Sequence, residues 1–260
     1  MKNVRIALLA IVLLSAACTD NNEQTLSGTI TNAEGQKISL IGFPQGQPDT
    51  LASTVLTASG KFSFPVEAGT LAFYNLNIGN SETIVLAFDS TQSPVVTADF
   101  TTIRSNYNVS NSKDSKDLRD HYVQSYSYET ALDSTMKALQ QAAESQDNDA
   151  RIQLSKEYNE IRLAYKNYIV EQIETDSTNI GNFSSIQRLN PDEDWIYILK
   201  IRNGLSPRLK GNIFFDQMAN QVAQIENQKR SQAAFTPGSV APDIVLPTPE
   251  GTEFALSSLR

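Results

Sequence analysis

The spacing of apolar residues changes near residue 111. Before that point apolar and polar residues alternate, as in Phe62-Ser63-Phe64, and after it apolar residues recur every three or four positions, as in Leu154, Tyr158 and Ile161. Alternation is the period of a strand with one buried face, whereas steps of three and four place side chains on one face of a helix. The chain is therefore predicted to be α+β, with its strands before its helices.

The β part is predicted to be an antiparallel β-sandwich covering residues 25–110. Its candidate strands are short, and Gly, Asn and Pro separate them. Strands that recur at roughly ten-residue spacing are typical of sandwiches and small barrels. The candidate strands are residues 26–30, 37–41, 62–66, 71–78, 83–88 and 95–100.

Residues 111–233 are predicted to form a helical hairpin or bundle. Two amphipathic runs meet at an acidic loop, where Asp147 or Asp149 can cap the second helix. Residues 180–189 are a shorter helix candidate. Asn190 before Pro191 indicates another helix start, since proline suits the first helical position. A last amphipathic run at residues 209–229 precedes the linker into residues 234–260.

The first 17 residues have the organisation of a secretory signal. Lys2 and Arg5 precede an apolar run at residues 6–14, which is too short to span a bilayer, and small residues follow directly before Cys18. This arrangement resembles a bacterial lipoprotein signal and implies lipidation of Cys18. The alternative is an ordinary cleaved signal with an incidental cysteine. Residues 18–24 are predicted to be a polar tether.

Cysteine usage and charge exclude several classes of function. Cys18 is the only cysteine, so an acylated Cys18 leaves no thiol for a disulfide, a Cys–His pair or a cysteine-based metal site. The formal net charge is −8, which disfavours binding to nucleic acid. We therefore predict no catalytic, cofactor-binding or metal-binding residue within the chain.

The remaining polar candidates are better explained by structure than by chemistry. His121 is the only histidine and is predicted to be a surface or interfacial residue. The three acids at positions 192–194 suit a helix N-terminus better than acid–base work or a cation site. Four Asp-Ser/Thr-x triplets, which begin at Asp49, Asp89, Asp133 and Asp176, resemble an O-glycosylation signal of some envelope proteins.

Tyrosines are concentrated on the two long predicted helices. Their helical spacing favours core packing, with the hydroxyls at the solvent edge. The alternative is a groove that binds a peptide or another ligand, and this surface is the best candidate contact site in the chain. The residues are Tyr122, Tyr126, Tyr128, Tyr158, Tyr165 and Tyr168.

The last 24 residues carry a family resemblance. Pro237-Gly238-Ser239-Val240-Ala241-Pro242-Asp243 leads through Gly251 to Leu256-Ser257-Ser258-Leu259-Arg260. This order resembles the opening of a thioredoxin-like domain of the AhpC/TSA and membrane-tethered thiol–disulfide oxidoreductase type. The resemblance implies that residues 234–260 are the first hairpin of an incomplete domain, whose Trp-Cys-x-x-Cys motif would follow.

A second resemblance covers the predicted sandwich. Ser27-Gly28-Thr29-Ile30, Gly60-Lys61-Phe62-Ser63-Phe64 and Phe88-Asp89 resemble the uncharacterised N-terminal domain that precedes the thioredoxin domain in many lipoprotein oxidoreductases. Family members usually have glycine where this chain has Asn111. Asparagine also tolerates the left-handed conformation, so the turn can be kept.

Together these features predict a cell-envelope lipoprotein, anchored in the outer membrane, whose parent is a thiol–disulfide oxidoreductase. The resemblance implies protein thiols and disulfides as substrates of the complete parent, and the lipid makes the membrane a partner. Two alternatives remain: a fragment of a peroxiredoxin-type peroxidase, and a non-catalytic lipoprotein that acts as a binding or scaffold module.

Overall fold

The computed structural model describes residues 24–234, 245–249 and 251–259. Over these residues eight strands are followed by five α-helices and a small β-hairpin. The predicted α+β class is confirmed. The signal at residues 1–17, Cys18, most of the tether and the segment from Pro237 to Asp243 lie outside the described residues.

Two four-stranded sheets face each other in the first part of the chain. One sheet has the strand order β4-β1-β7-β8, and the other has the order β3-β2-β5-β6. The strands are β1 (Thr25–Thr31), β2 (Lys37–Gly42), β3 (Asp49–Val55), β4 (Lys61–Pro65), β5 (Ala72–Ile78), β6 (Glu82–Phe88), β7 (Val95–Asp99) and β8 (Tyr107–Ser110).

One strand pair differs from the expected all-antiparallel arrangement. β1 runs parallel to β7, with Gly28 opposite Val96, while the other pairs are antiparallel. β6 and β7 are consecutive in sequence but belong to different sheets, so the chain crosses the sandwich before it pairs with β1. A Cβ atom at Gly28 would lie 2.0 Å from the Val96 carbonyl oxygen, so the close approach of this pair requires glycine.

The sandwich core is built by the alternating side chains of both sheets. Phe62 and Phe64 of β4 point inward, and Tyr74 of β5 stacks on Phe88 of β6 with 4.3 Å between ring centroids. Burial of such a continuous apolar layer is the main stabilising contribution to a domain of this kind. Other core residues are Leu26, Ile30, Ile38, Leu40, Leu76, Ile78, Ile84, Leu86, Val96 and Val109.

Two long helices form an antiparallel hairpin after the sandwich. Asn111 has a φ of 58°, which confirms the predicted left-handed turn, and Ser112 then caps α1 (Lys113–Glu144). Asp147 is one of the two predicted caps of the second helix. It accepts a hydrogen bond of 3.0 Å from the Ala150 N–H and so caps α2 (Asn148–Thr175). The remaining helices are α3 (Asn182–Ser185), α4 (Trp195–Leu209) and α5 (Ile213–Ala234).

The segment between α2 and α4 differs from the sequence prediction. The helix expected at residues 180–189 is reduced to α3 and a 3₁₀ turn at Ile186–Arg188, and the helix expected from Asn190 begins at Trp195. Asn190 caps a turn instead: its side-chain oxygen accepts from the Asp192 N–H at 2.9 Å, and its carbonyl accepts from the Asp194 N–H at 2.8 Å.

A second apolar core lies between the helices and the outer face of the β3-β2-β5-β6 sheet. Phe73 of β5 stacks on Phe183 of α3 at 5.3 Å, and Ala87 of β6 is fully buried beneath the helices. This sheet is therefore covered on both faces near β5 and β6. The helical side of this core includes Tyr165, Ile169, Ile173, Ile198, Ile201, Leu205, Phe215 and Met218.

A buried polar junction joins the sandwich to the helices. The Ser115 hydroxyl accepts from the Ala87 N–H at 3.1 Å and donates to the Ala87 carbonyl at 2.8 Å, which satisfies both backbone groups on the open side of edge strand β6. Next to it, the Asp114 carboxylate accepts hydrogen bonds from Arg208 of α4 at 2.6 and 2.7 Å and from Gln92 at 2.9 Å. Asp114 is only 1% exposed.

The last described element is a β-hairpin. β9 (Val245–Pro247) pairs antiparallel with β10 (Glu253–Ala255), and a 3₁₀ turn at Leu256–Leu259 follows. Gly251 has a φ of 81° in the connection, a conformation that glycine adopts at little cost.

Replacement of Asp114 by alanine tests the polar junction. Asp114→Ala leaves Arg208 and Gln92 without their buried acceptor, so we expect the free energy of unfolding to fall by about 2–3 kcal/mol. Urea denaturation followed by circular dichroism measures this change. The matched control is Asp120→Ala, which removes an exposed carboxylate beside Lys116 and Arg119 and should cost less than about 1 kcal/mol. Equal losses in the two variants would contradict the role of the junction.

Candidate functional site

Two adjoining clefts lie between the α1–α2 hairpin and the segment formed by residues 182–194. The first, here the histidine cleft, has a volume of about 210 Å³ and contains His121, Tyr122, Ser125, Tyr126, Ser184 and Gln187. The second, here the ion-pair cleft, has a volume of about 440 Å³ and contains Leu132, Arg162, Leu163, Lys166, Ile169, Asn190, Glu193 and Asp194. Glu129, Tyr165 and Arg188 line both.

His121 is buried at the interface of α1, α2 and α3. Its Nε2 atom lies 3.3 Å from the Ser125 hydroxyl and 3.0 Å from the Ser185 hydroxyl, and its ring stacks on Tyr168 at 5.7 Å between centroids. The interfacial alternative of the sequence prediction is therefore correct and the surface alternative is wrong. Ser125 follows from helical spacing on α1, whereas Ser185 comes from a different helix.

The chemistry available to His121 is limited by its burial. Removal from water disfavours the charged imidazolium and lowers the pKa of His121 from 6.5 to about 4. A base this weak is a poor match for proton abstraction near neutral pH. Ser185 is also almost fully buried, so substrate cannot reach its hydroxyl. The His121–Ser185 pair is a structural hydrogen bond rather than a nucleophile with its base.

The tyrosines divide into a packed group and an exposed group. Tyr128 stacks on Tyr165 at 5.0 Å and lies 5.8 Å from Tyr168, and these rings pack against the second apolar core, as predicted. Tyr122, in contrast, is 41% exposed and stacks on Tyr126 at the edge of the histidine cleft. Tyr122 is the exposed member of the six, and Tyr158 is half-buried on α2.

An ion pair separates the two clefts. Arg188 donates a hydrogen bond to the Glu129 carboxylate, and the Tyr165 hydroxyl donates to the same carboxylate at 3.3 Å. Burial raises the pKa of Tyr165, so its phenol stays protonated and can act as a donor.

The three acids at positions 192–194 point to different partners, and they precede α4 instead of lying in its first turn as predicted. Asp194 is buried, lies 2.8 Å from Lys166 and accepts from the Asn190 N–H at 2.9 Å. Its hydrogen bond raises the pKa of Lys166, which stays charged. Glu193 lies 3.6 Å from Lys166, and Asp192 lies 3.1 Å from Lys229. Within the described ranges, no group of three or more His, Cys, Asp or Glu residues could hold a metal ion.

Two of the four Asp-Ser/Thr-x triplets have a structural explanation. The Asp89 carboxylate accepts from the Thr91 N–H at 2.9 Å and from its hydroxyl at 2.6 Å, and Asp176 makes the same bonds to Thr178. These are tight turns closed by an aspartate. The O-glycosylation prediction is untested, as is lipidation of Cys18, which lies outside the described residues.

The sequence predictions include His121 and three of the tyrosines that line the clefts, but they do not include Glu129 and Arg188, which line both clefts, or Ser185, which contacts His121. His121, Ser125 and Glu129 follow each other at four-residue steps on α1, which places them on one face of that helix. This polar stripe on an otherwise amphipathic helix is a signal that could have indicated the site. Ser185 and Arg188 gave no such signal, since they contact α1 only through the packing of α3 and the turn that follows it.

The lowered pKa of His121 predicts loss of stability in acid. In the unfolded chain the imidazole of His121 is protonated below about pH 6.5. In the folded chain it is protonated only below about pH 4. Acidification between these values therefore favours unfolding. From about pH 7.5 to about pH 5 we expect a loss near 2 kcal/mol from this group, measured by urea denaturation. His121→Gln should lack this component, whereas equal pH dependence of both proteins would contradict it.

The comparisons with known proteins yield no relative. No protein-family model matches the chain, and no curated protein or solved structure matches it either. No helix among the described residues is both long enough and apolar enough to cross a membrane.

Proposed function

We propose that this chain forms the lipid-anchored N-terminal region of a cell-envelope thioredoxin-like thiol–disulfide oxidoreductase. The observation that carries the proposal is the hairpin of β9 and β10 with its 3₁₀ turn at Leu256–Leu259. Strand, glycine turn, strand and helix start is the order expected from the resemblance of residues 234–260 to the opening of a thioredoxin-like domain.

The exposure of this hairpin supports the same proposal. Val245, Leu246 and Phe254 are exposed, and the side chain of Leu246 reaches 62%. Isolated two-stranded hairpins are marginally stable in water and gain stability when an apolar face is covered. A thioredoxin-like domain that includes this hairpin would cover these side chains.

The proposed redox step belongs to the parent and not to the described residues. A Cys-x-x-Cys motif supplied outside these 260 residues would provide a thiolate that attacks one sulfur of a substrate disulfide. The other substrate sulfur leaves as a thiolate, and the second cysteine of the motif then resolves the mixed disulfide. The motif is oxidised and the substrate is reduced, which balances the two electrons.

A second candidate function is a non-catalytic binding lipoprotein. The histidine cleft and the ion-pair cleft favour this candidate, since they offer accessible tyrosine, arginine and carboxylate side chains. A peroxiredoxin-type parent remains a third possibility, which the same resemblance would allow. The coding sequence that follows codon 260 distinguishes a Trp-Cys-x-x-Cys motif, a peroxidatic cysteine motif and a stop codon.

The proposal predicts that the 260-residue chain alone has no disulfide reductase activity. With Cys18 acylated, the chain has no thiol that can exchange with a disulfide. Purified chain should therefore not accelerate the reduction of insulin by dithiothreitol above the rate in buffer, measured as turbidity. An extended protein that includes the following Cys-x-x-Cys motif is the positive control. Faster reduction of insulin by the 260-residue chain itself would contradict the proposal that the redox centre lies in a Cys-x-x-Cys motif outside these residues.

The anchoring role predicts a specific effect at Cys18. In cells fed with labelled palmitate, the natural chain should carry the label and sediment with membranes. Cys18→Ser should lose the label and move to the soluble fraction, because the thioether that holds the lipid cannot form. Thr19→Ala, which changes the neighbouring residue, should behave like the natural chain. If the Cys18→Ser variant still carried the label and sedimented with membranes, Cys18 would not be the anchor.

A further inference from the structure

We propose that the histidine cleft and the ion-pair cleft together bind an extended peptide segment that carries an apolar side chain beside a carboxylate. This site is separate from the redox chemistry proposed above, and it stands or falls independently of it. The size of the joined clefts, the unpaired guanidinium of Arg162 and the groups along the walls support this proposal.

The joined clefts have the dimensions of a short peptide. His121 and Leu132 mark their two ends along α1, and these residues lie about 16 Å apart along the helix axis. An extended chain advances about 3.3 Å per residue, so about five residues fit this length. The volume of the ion-pair cleft, about 440 Å³, falls in the range usual for ligand sites, which is about 300–1,000 Å³.

The partition between the clefts is easily displaced. The side chains of Glu129 and Arg188 are 41% and 53% exposed, and ion pairs in such positions contribute little to stability. Rotation of Arg188 away from Glu129 would connect the two volumes without disturbing a buried contact. Arg188 and Glu129 would then be free to pair with the backbone of a ligand.

Three carboxylates and three cationic side chains line the joined clefts, and Arg162 is the cation among them that has no partner within the described residues. Glu129 pairs with Arg188, while Asp194 and Glu193 both pair with Lys166. Arg162 lines the ion-pair cleft but makes no ion pair or hydrogen bond with any other residue that the structure describes. A guanidinium group binds a carboxylate through two parallel hydrogen bonds, so the complementary group on a ligand is a carboxylate.

The walls favour a peptide over an acyl chain. Leu132, Leu163 and Ile169 offer an apolar surface in the ion-pair cleft, but Asn190 in the same cleft and Gln187 in the histidine cleft add hydrogen-bonding groups. An acyl chain would take these polar groups out of water without replacing their hydrogen bonds, which is unfavourable. The N–H and C=O groups of a peptide can replace them, and an aromatic side chain can stack on exposed Tyr122.

The test uses two pools of acetylated, amidated pentapeptides with the full chain. One pool has the pattern Tyr-Xaa-Xaa-Leu-Glu and the other has Gln in place of Glu. Isothermal titration calorimetry measures the affinity of each pool. We expect the Glu pool to bind about tenfold more tightly than the Gln pool, because only the Glu carboxylate is charged and can accept two parallel hydrogen bonds from Arg162.

Arg162→Gln should abolish the difference between the two pools. Arg162 is exposed and unpaired within the described structure, so the variant should keep its fold and its circular dichroism spectrum. Arg151→Gln, an exposed arginine near the start of α2, is the matched control and should keep the preference. Equal affinities for the two pools, or no binding of either pool, would overturn the proposal. Displacement of the Glu pool by palmitate would identify an acyl-chain site instead.

Discussion

The buried carboxylate of Asp114 joins the start of α1 to α4 and to the sandwich, and the packing of the helices on the sheet depends on this interaction. It lies in the first turn of α1 and accepts hydrogen bonds from Arg208 near the end of α4 and from Gln92 in the loop after β6. A carboxylate that is removed from water requires such partners, so α4 and the sandwich must both approach the start of α1. The hydroxyl of Ser115, one residue later, forms hydrogen bonds with the backbone N–H and C=O of Ala87 at the free edge of β6. The helices therefore cover the outer face of this sheet, where a second apolar core forms.

The same junction positions the two clefts. After Asp114, the residues Leu118, His121 and Ser125 of α1 are buried against the other helices. Glu129, one turn further along the same face of α1, lies in the wall that the two clefts share. Burial of His121 between two serine hydroxyls fixes this part of α1 against α3. The clefts are thus a consequence of how the helices pack on the sheet, and they require no additional loop.

Anchoring, redox chemistry and recognition would occupy different parts of the proposed protein. The lipid on Cys18 would anchor the protein to the membrane, the hairpin of β9 and β10 would begin the redox domain, and the clefts beside α1 would bind a peptide. The His121–Ser185 pair is unsuited to nucleophilic catalysis, because His121 is a weak base and Ser185 is buried. What the described residues do offer is accessible aromatic and charged surface, which is suited to binding. Recognition of a peptide near a redox domain is chemically compatible with protein substrates, although neither proposal requires the other.

The sequence by itself determined the features that depend on near neighbours. Alternation placed Phe62 and Phe64 in the core, Asp147 caps α2 and Asn111 forms the left-handed turn, because each of these depends on residues within a few positions of it. The tertiary structure alone decided the parallel pairing of β1 with β7, the start of α4 at Trp195, the contact of Ser185 with His121 and the ion pair of Arg188 with Glu129. These contacts join residues that are far apart in sequence, and their energies depend on which elements pack together. Hydrophobic periodicity reports that a face is buried, but it does not report what covers it.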